Sequence, residues 1–387
     1  MQLDFHYYAT AAAALIAGYD PDQSIKTGFF SQMTDHCSRT FLSGIKAPLN
    51  AATTQLMLEL MESGSDPVSM QDITRIWASF HFLPADLKAQ VKGSILYKSK
   101  YRLICGPDGA LAGETVRLAK REGTIEAAGL AMHVLADTWA HRYFAGTPSL
   151  VINNIGDDLE ELIPGEDGFT RRPVKFRHSL TAEDDPENGI YNNSLNNYSE
   201  KSVMVLGHGR AGHLPDLSFA RYVYMPAWGD YRQVIKDNPK EYYNAFCQMV
   251  YALKYLRGEV GEFETGVYDY EAAEPYGLRI KEILEKRQLD ACEDWKAFLK
   301  ENWDVVPGDF DTRAAEKEYT DAPDSKKDDT AIGRFVLAAL AQKSMVSGSI
   351  FRSGNLLAGF SADPGKGKGI KDFMKLKDYL GRRGTDD

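Results

Sequence analysis

Residues 131–141 read AMHVLADTWAH, a run in which His133, Asp137 and His141 recur at intervals of four. On an α-helix such positions drift by only about 40° per step, with about 6 Å of rise, so the three polar side chains form one stripe. Leu130, Met132, Val134, Leu135, Trp139, Tyr143 and Phe144 set apolar residues all round the axis. That pattern predicts a buried helix from Thr124 to Phe144, stopping ahead of Gly146-Thr147-Pro148. Buried imidazoles and carboxylates need partners. A hydrogen-bonded network could provide them, but a carboxylate between two imidazoles one turn away also suits an Asp that bridges or helps hold two metal ions, each His holding one. The metal reading is the one favoured here.

Outward from this helix, helical signals dominate the first 260 residues. Asp20-Pro21-Asp22-Gln23 offers an N-cap, a proline at N1 and a capping Gln, opening a helix through Phe29, Phe30 and Met33 toward Asp35. Asn238-Pro239 opens another through Tyr242, Phe246, Met249 and Leu253 to Gly258. Further helices are expected over 51–62, 70–79, 278–299 and 332–345. Strand-like alternation is scarce, apart from a short hairpin expected around Leu103-Ile104-Cys105 with its turn at Pro107-Asp108-Gly109. Residues 146–197, rich in Gly, Pro, Asn and Asp, read as a long loop. The expectation is therefore an all-α protein: a multi-helix, metal-centred bundle over 1–260, with long loops and a helical C-terminal extension over 261–387 ending in a Lys-rich tail.

The chain has 387 residues, 43% of them hydrophobic, which is enough for a sizeable core. Forty-five Lys and Arg against 55 Asp and Glu give a net charge of −10, which weighs against nucleic acid as a partner. Cys37, Cys105, Cys247 and Cys292 are scattered and read as free thiols of a reducing compartment. MQLDFHYYATAAAALIAGY carries Asp4 and His6 where a signal peptide would carry Lys or Arg, and no apolar run nears the roughly 20 residues that span a bilayer. A cytoplasmic protein is expected, with leaderless export as the alternative.

One helix supplies too few ligands for a multinuclear site. His6 lies two residues from Asp4 in LDFHYY, where an extended arm would aim both side chains one way. His81 sits in the apolar FHFLP. His208, His213 and Asp216 lie in GHGRAGHLPD, a glycine-rich turn that brings backbone close to whatever it contacts. His208 is the better candidate there, with His213 left open. Asp35 and His36 are adjacent and face different ways, so one of them at most reaches the site. Arg171, Arg172, Lys175 and Arg177, around His178, read first as a solvated basic face and secondly as a substrate-phosphate clamp.

The order of these residues resembles the zinc-dependent phospholipase C and fungal single-strand nuclease superfamily. That group shows an N-terminal His, an early Asp, a further His, a helix bearing H-x3-D followed by another His, and a final His with a downstream carboxylate. Here these are His6, Asp35, His81, His133 with Asp137, His141, and His208 with Asp216. The chain is also similar to an uncharacterised bacterial domain family with DFHYYAT, FHFLP, HVLADTWAH and GHGxAGxLPD motifs. The superfamily's spacing differs: His141 follows Asp137 by four rather than six, and Asp216 follows His208 by eight rather than four. Its mature members also ligate metal through a processed N-terminal amine, a place that Asp4 is expected to take here.

The resemblance implies two or three Zn2+ ions held by Asp4, His6, Asp35, His81, His133, Asp137, His141, His208 and Asp216. It implies hydrolysis of a phosphate ester, with phospholipid among the substrates, Asp35 orienting or deprotonating the nucleophile and Asp137 bridging metals. Three rivals are kept. HD-type phosphohydrolases need an adjacent His-Asp pair, whereas Asp35-His36 is the reverse. A helical binding module with a structural metal would need no open coordination position. A membrane-acting effector would use the 332–345 helix and the Lys-rich tail on a lipid surface.

Overall fold

The computed structural model describes residues 1–63, 67–156, 158–166, 168–177, 182–193, 205–355 and 357. At its centre lies the helix Ile125–Ala140, begun where the Thr124 hydroxyl accepts from Ala127 N at 3.2 Å. Every residue from Glu126 to Ala140 is buried, as an axis apolar on all sides requires. Around it pack Pro21–His36, Ala110–Glu122, Asn238–Arg257 and Ala331–Arg352. Asp20 caps the first of these through Gln23 N at 2.9 Å, and Gly258, with φ +89, closes the helix Asn238–Arg257.

Helices Pro21–His36 and Ile125–Ala140 touch backbone to backbone. A Cβ on Gly129 would stand 2.6 Å from Thr27 O and 2.7 Å from Phe30 Cβ. This contact carries the end of the first helix, and Asp35 with it, toward His133.

The all-α expectation is overturned: the fold is mixed, with 58% of the described residues helical and two sheets among them. Strands β1 (Glu160–Gly165), β2 (Gly168–Pro173), β5 (Arg221–Tyr224) and β6 (Val234–Asp237) form an antiparallel sheet in the order β2-β1-β5-β6. Leu162 stands opposite Arg171, and Tyr222 opposite Lys236. Strands β3 (Lys175–Arg177) and β4 (Ile190–Asn192) add a parallel pair. Four strands, β1 to β4, thus fall within the supposed long loop. Its strands escape a periodicity search because β2 is exposed along nearly its whole length and β3 and β4 are three residues each, so none shows period-two burial.

Other expectations shift more locally. The Leu103–Cys105 hairpin is absent; isolated bridges instead join Pro84 to Cys105 and Ile104 to Ala145, lacing the chain after His81 to the chain after His141. The 51–62 helix begins only at Met57. The 278–299 helix is two, Gly277–Glu285 and Cys292–Trp303, because Lys286 turns extended. The apolar helix near 332–345 runs over Ala331–Arg352, with Phe335, Val336, Ala339, Val346 and Ile350 buried. These residues share one core with Phe30, Leu130 and Phe246. Buried Glu161 adds a polar tie: it takes Arg172 at 2.7 Å, Arg287 at 2.6 Å and the Tyr191 hydroxyl at 3.0 Å. The four cysteines are free and buried. His178 and the Lys-rich tail over 363–387 lie outside the described residues. Among those described, no helix is long and apolar enough to cross a membrane.

Candidate metal centre

Asp137, on the central helix, is the hub. Its Oδ2 lies 3.1 Å from His81 Nδ1 and 3.2 Å from His133 Nε2, and its Oδ1 lies 3.2 Å from His6 Nε2 and 2.9 Å from the Met1 α-amino nitrogen. Asp35 Oδ1 stands 3.7 Å from His81 Nδ1 and 3.8 Å from His133 Nε2. One turn along the helix, His141 Nε2 meets Asp216 Oδ1 at 3.0 Å, and His208 Nε2 meets Asp216 Oδ2 at 3.4 Å. Three donor groups result: His6 with His133 and Asp137; Asp35 with His81 and His133; and His141 with His208 and Asp216. Within each group the ligand atoms lie within 4.8 Å of one another. Donors held at about 2.0–2.1 Å around a tetrahedral ion stand about 3.3 Å apart, so the observed separations suit a metal ion.

Backbone carbonyls dictate which ring nitrogens are bare. A carbonyl can only accept, so His81 Nε2 donates to Thr53 O at 3.0 Å, His141 Nδ1 to His81 O at 2.6 Å, and His208 Nδ1 to Gly212 O at 2.9 Å. The neutral form of each ring then turns its lone pair onto a carboxylate oxygen. A lone pair facing a carboxylate calls for positive charge between them: the Met1 ammonium lies 3.4 Å from His141 Nε2 and 3.1 Å from Asp216 Oδ1, and metal-binding histidines are oriented by carbonyls in this same way. His6 and His133 add buried nitrogens that lack hydrogen-bond partners among the described residues, both ring atoms of His6 and Nδ1 of His133. The 3.2 Å approach of His6 to Asp137 therefore lacks hydrogen-bond alignment.

The electrostatics agree. Burial, reinforced by His133, pushes His6 down to about 4, and burial with His141 nearby does the same to His208. Burial also opposes charge on His81, yet Asp137 and Asp35 outweigh it and raise its pKa: two carboxylates favour positive charge between them. Burial would lift Asp137 and Asp216, but the His141, His133 and His6 rings and the Met1 amine hold Asp137 well below the usual carboxylate range, and His208, the Met1 amine and His141 do so for Asp216.

The outer elements are placed by local geometry. Gly207 has φ +53, and a Cβ there would stand 2.2 Å from Phe82 Cζ; only glycine lets the 207–212 turn lie this close. Phe82 in turn stacks on His141 with centroids 4.6 Å apart.

Asp4 takes no part in these groups. Its oxygens accept from Phe5 N at 2.8 Å and Ala291 N at 3.2 Å, and burial raises it to about 6. The expected extended arm is a π-helical turn over Asp4–Ala9, where residues two apart point to roughly opposite sides. The Met1 amine, 3.1 Å from Asp216 Oδ1 as well as close to Asp137, stands where Asp4 was expected. His213 pairs instead with Asp184 at 2.7 Å, and His36 packs edge-on against Phe41 and Phe310. Arg171 pairs with Glu160, and Arg172 with Glu161. The contributors absent from the sequence reading, the Met1 amine and the carbonyls of Thr53, His81 and Gly212, are backbone groups, which no residue type announces.

No curated protein and no solved structure matches the chain. A family of unknown function, DUF6765, matches residues 1–350, and the chain belongs to that family.

Proposed function

We propose that this member of the DUF6765 family is a zinc-dependent phosphoric-ester hydrolase of phospholipase C type, holding two or three zinc ions. The observation that carries the reading is the set of three imidazoles, those of His81, His141 and His208, locked by backbone carbonyls so that their bare nitrogens face Asp137 and Asp216. His81 and His133 with Asp35 and Asp137 would hold one ion, His141 and His208 with Asp216 another, and His6 with Asp137 a third. Zinc bound there would supply a water of pKa near 7 and positive charge against phosphoryl oxygens.

The chain's own residues divide the remaining work. Asp137, 1% exposed, sits too deep to meet a substrate, whereas the Asp35 side chain is 31% exposed and can accept a proton from an entering water. Asp216 and His208 are also open to solvent, at 16% and 17%. An open rim and an all-His/Asp donor set favour catalysis over a structural site, which is closed by four protein ligands and often uses Cys. Phosphate esters, phospholipid among them, fit better than long nucleic acids for a chain of net charge −10. A membrane surface would have to be met elsewhere than on the helix Ala331–Arg352, whose apolar face is used in the core.

Metal analysis of the purified protein, followed by phosphodiester and phosphomonoester substrates with and without chelator, tests this. Two or three zinc ions per chain and chelator-sensitive turnover are expected. A single tightly held ion with no turnover would overturn the hydrolase and leave a structural metal.

A further inference from the structure

Beside the Asn50–Thr53 segment, the helices Arg39–Gly44, Pro67–Phe80 and Ala331–Arg352 line a cavity of about 630 Å3. Its charged lining is Arg39, Arg75 and Lys343 against one carboxylate, Asp72, an excess of positive charge on a chain of net charge −10. Asp72 is shared between Arg39 at 2.6 Å and Arg75 at 3.3 Å.

Two further observations point into the space. Lys343 Nζ donates to the carbonyls of Asn50 at 2.7 Å and Ala52 at 2.6 Å, and no carboxylate stands within ion-pair distance of it among the described residues. Burial pushes this amine down to about 8, with Asp72 opposing, so it remains charged at neutral pH. Ser347, 6% exposed, lines the same cavity, and among the described residues its hydroxyl has no hydrogen-bond partner. A buried hydroxyl without a partner calls for a ligand or a water.

We propose that this cavity is a binding site for a small oxyanion, a phosphate or phosphate monoester, held by Arg39, Arg75, Lys343 and Ser347. The guanidinium groups offer forked donors matched to phosphate, the ammonium a point charge, and the buried hydroxyl a neutral donor. Leu340 and Ile76 on the wall leave room for a short aliphatic group on the ester. The site is separate from the metal centre and does not depend on the hydrolase reading.

Calorimetric titration of the full-length protein with inorganic phosphate, and separately with glycerol phosphate, at fixed ionic strength tests it. One anion bound per chain is expected, with affinity reduced about tenfold or more by Lys343→Met and by Arg39→Gln, and unchanged by chelator. The tighter of the two ligands identifies the source, free phosphate or ester. Arg39 lies on the rim with its side chain 35% exposed, so its variant folds, and a melting curve verifies this. Three results overturn the site: no binding of either anion at about 10 mM, binding indifferent to both substitutions, or binding abolished by chelator, which would place the anion on the metal centre.

Discussion

His141 Nδ1 donates to the carbonyl oxygen of His81 at 2.6 Å, so one candidate ligand orients another through the main chain. The same His81 ring is fixed by Thr53 O at 3.0 Å, and the Thr53 hydroxyl donates to Thr34 O at 2.6 Å, one residue before Asp35. Segments far apart in sequence thus set one another's geometry, and a change at one donor should spread unevenly through the cluster.

Asp137→Asn should lower both metal content and stability. The buried carboxylate faces His6, His81, His133 and the Met1 amine, and an amide offers these groups half the acceptor capacity and no charge. Metal analysis together with melting with and without chelator checks this; full metal content with an unchanged melting temperature would rule out Asp137 as the shared ligand.

Gly207→Ala should damage one metal position and spare the rest. Its Cβ would strike Phe82 at a positive φ, displacing the turn that carries His208 while leaving His6, His133 and Asp137 on their own helices. About one ion fewer per chain is expected by metal analysis; loss of every ion, or of none, would contradict this division.

Gly129→Val should separate the helices that bring Asp35 and His133 together, because the added carbons meet Thr27 O and Phe30. A loss of about 1–3 kcal/mol is expected from chemical denaturation, with weakened metal binding. Unchanged stability would mean that the helix contact is looser than described.

Glu161→Gln should destabilise the tie among β1, β4 and the C-terminal extension. The buried carboxylate meets two arginines that are each about a quarter exposed, so water recovers part of the loss, leaving about 1–3 kcal/mol. Denaturant unfolding measures it, and a neutral result would show the contact to be dispensable.

Lys343 should make stability depend on alkaline pH in a defined direction. Its folded pKa of about 8 lies below the ordinary lysine value of 10.5, so between these values the unfolded chain binds more protons and stability rises with pH. Relative to Lys343→Met, which lacks the group, the wild type should gain about 1–3 kcal/mol from pH 8 to 10.5. The difference between the two proteins isolates Lys343 from Cys37, Asp72, Arg39 and Arg75 around it. A pH-independent difference would show that the amine is not depressed.

The central helix was legible in the sequence because its signals are local: the stripe of His133, Asp137 and His141, the apolar girdle and the Thr124 cap all lie within 21 residues. The helix starts at Asp20 and Asn238 were legible for the same reason, since capping is decided by neighbours in the chain. The sheet was not, because β2 is exposed and β3 and β4 are too short to carry an alternating pattern. Which histidines share a carboxylate was also a tertiary decision. Asp4 and His6, two apart, were expected together until a π-helical turn sent them to opposite sides, while His81 and His141, sixty apart, are joined by a single hydrogen bond. Residue types and their order, with the resemblance they carry, set out which side chains could hold a cation. Only the fold decides which nitrogens are bare, because that depends on the carbonyls of Thr53, His81 and Gly212, groups every residue possesses and only packing can aim.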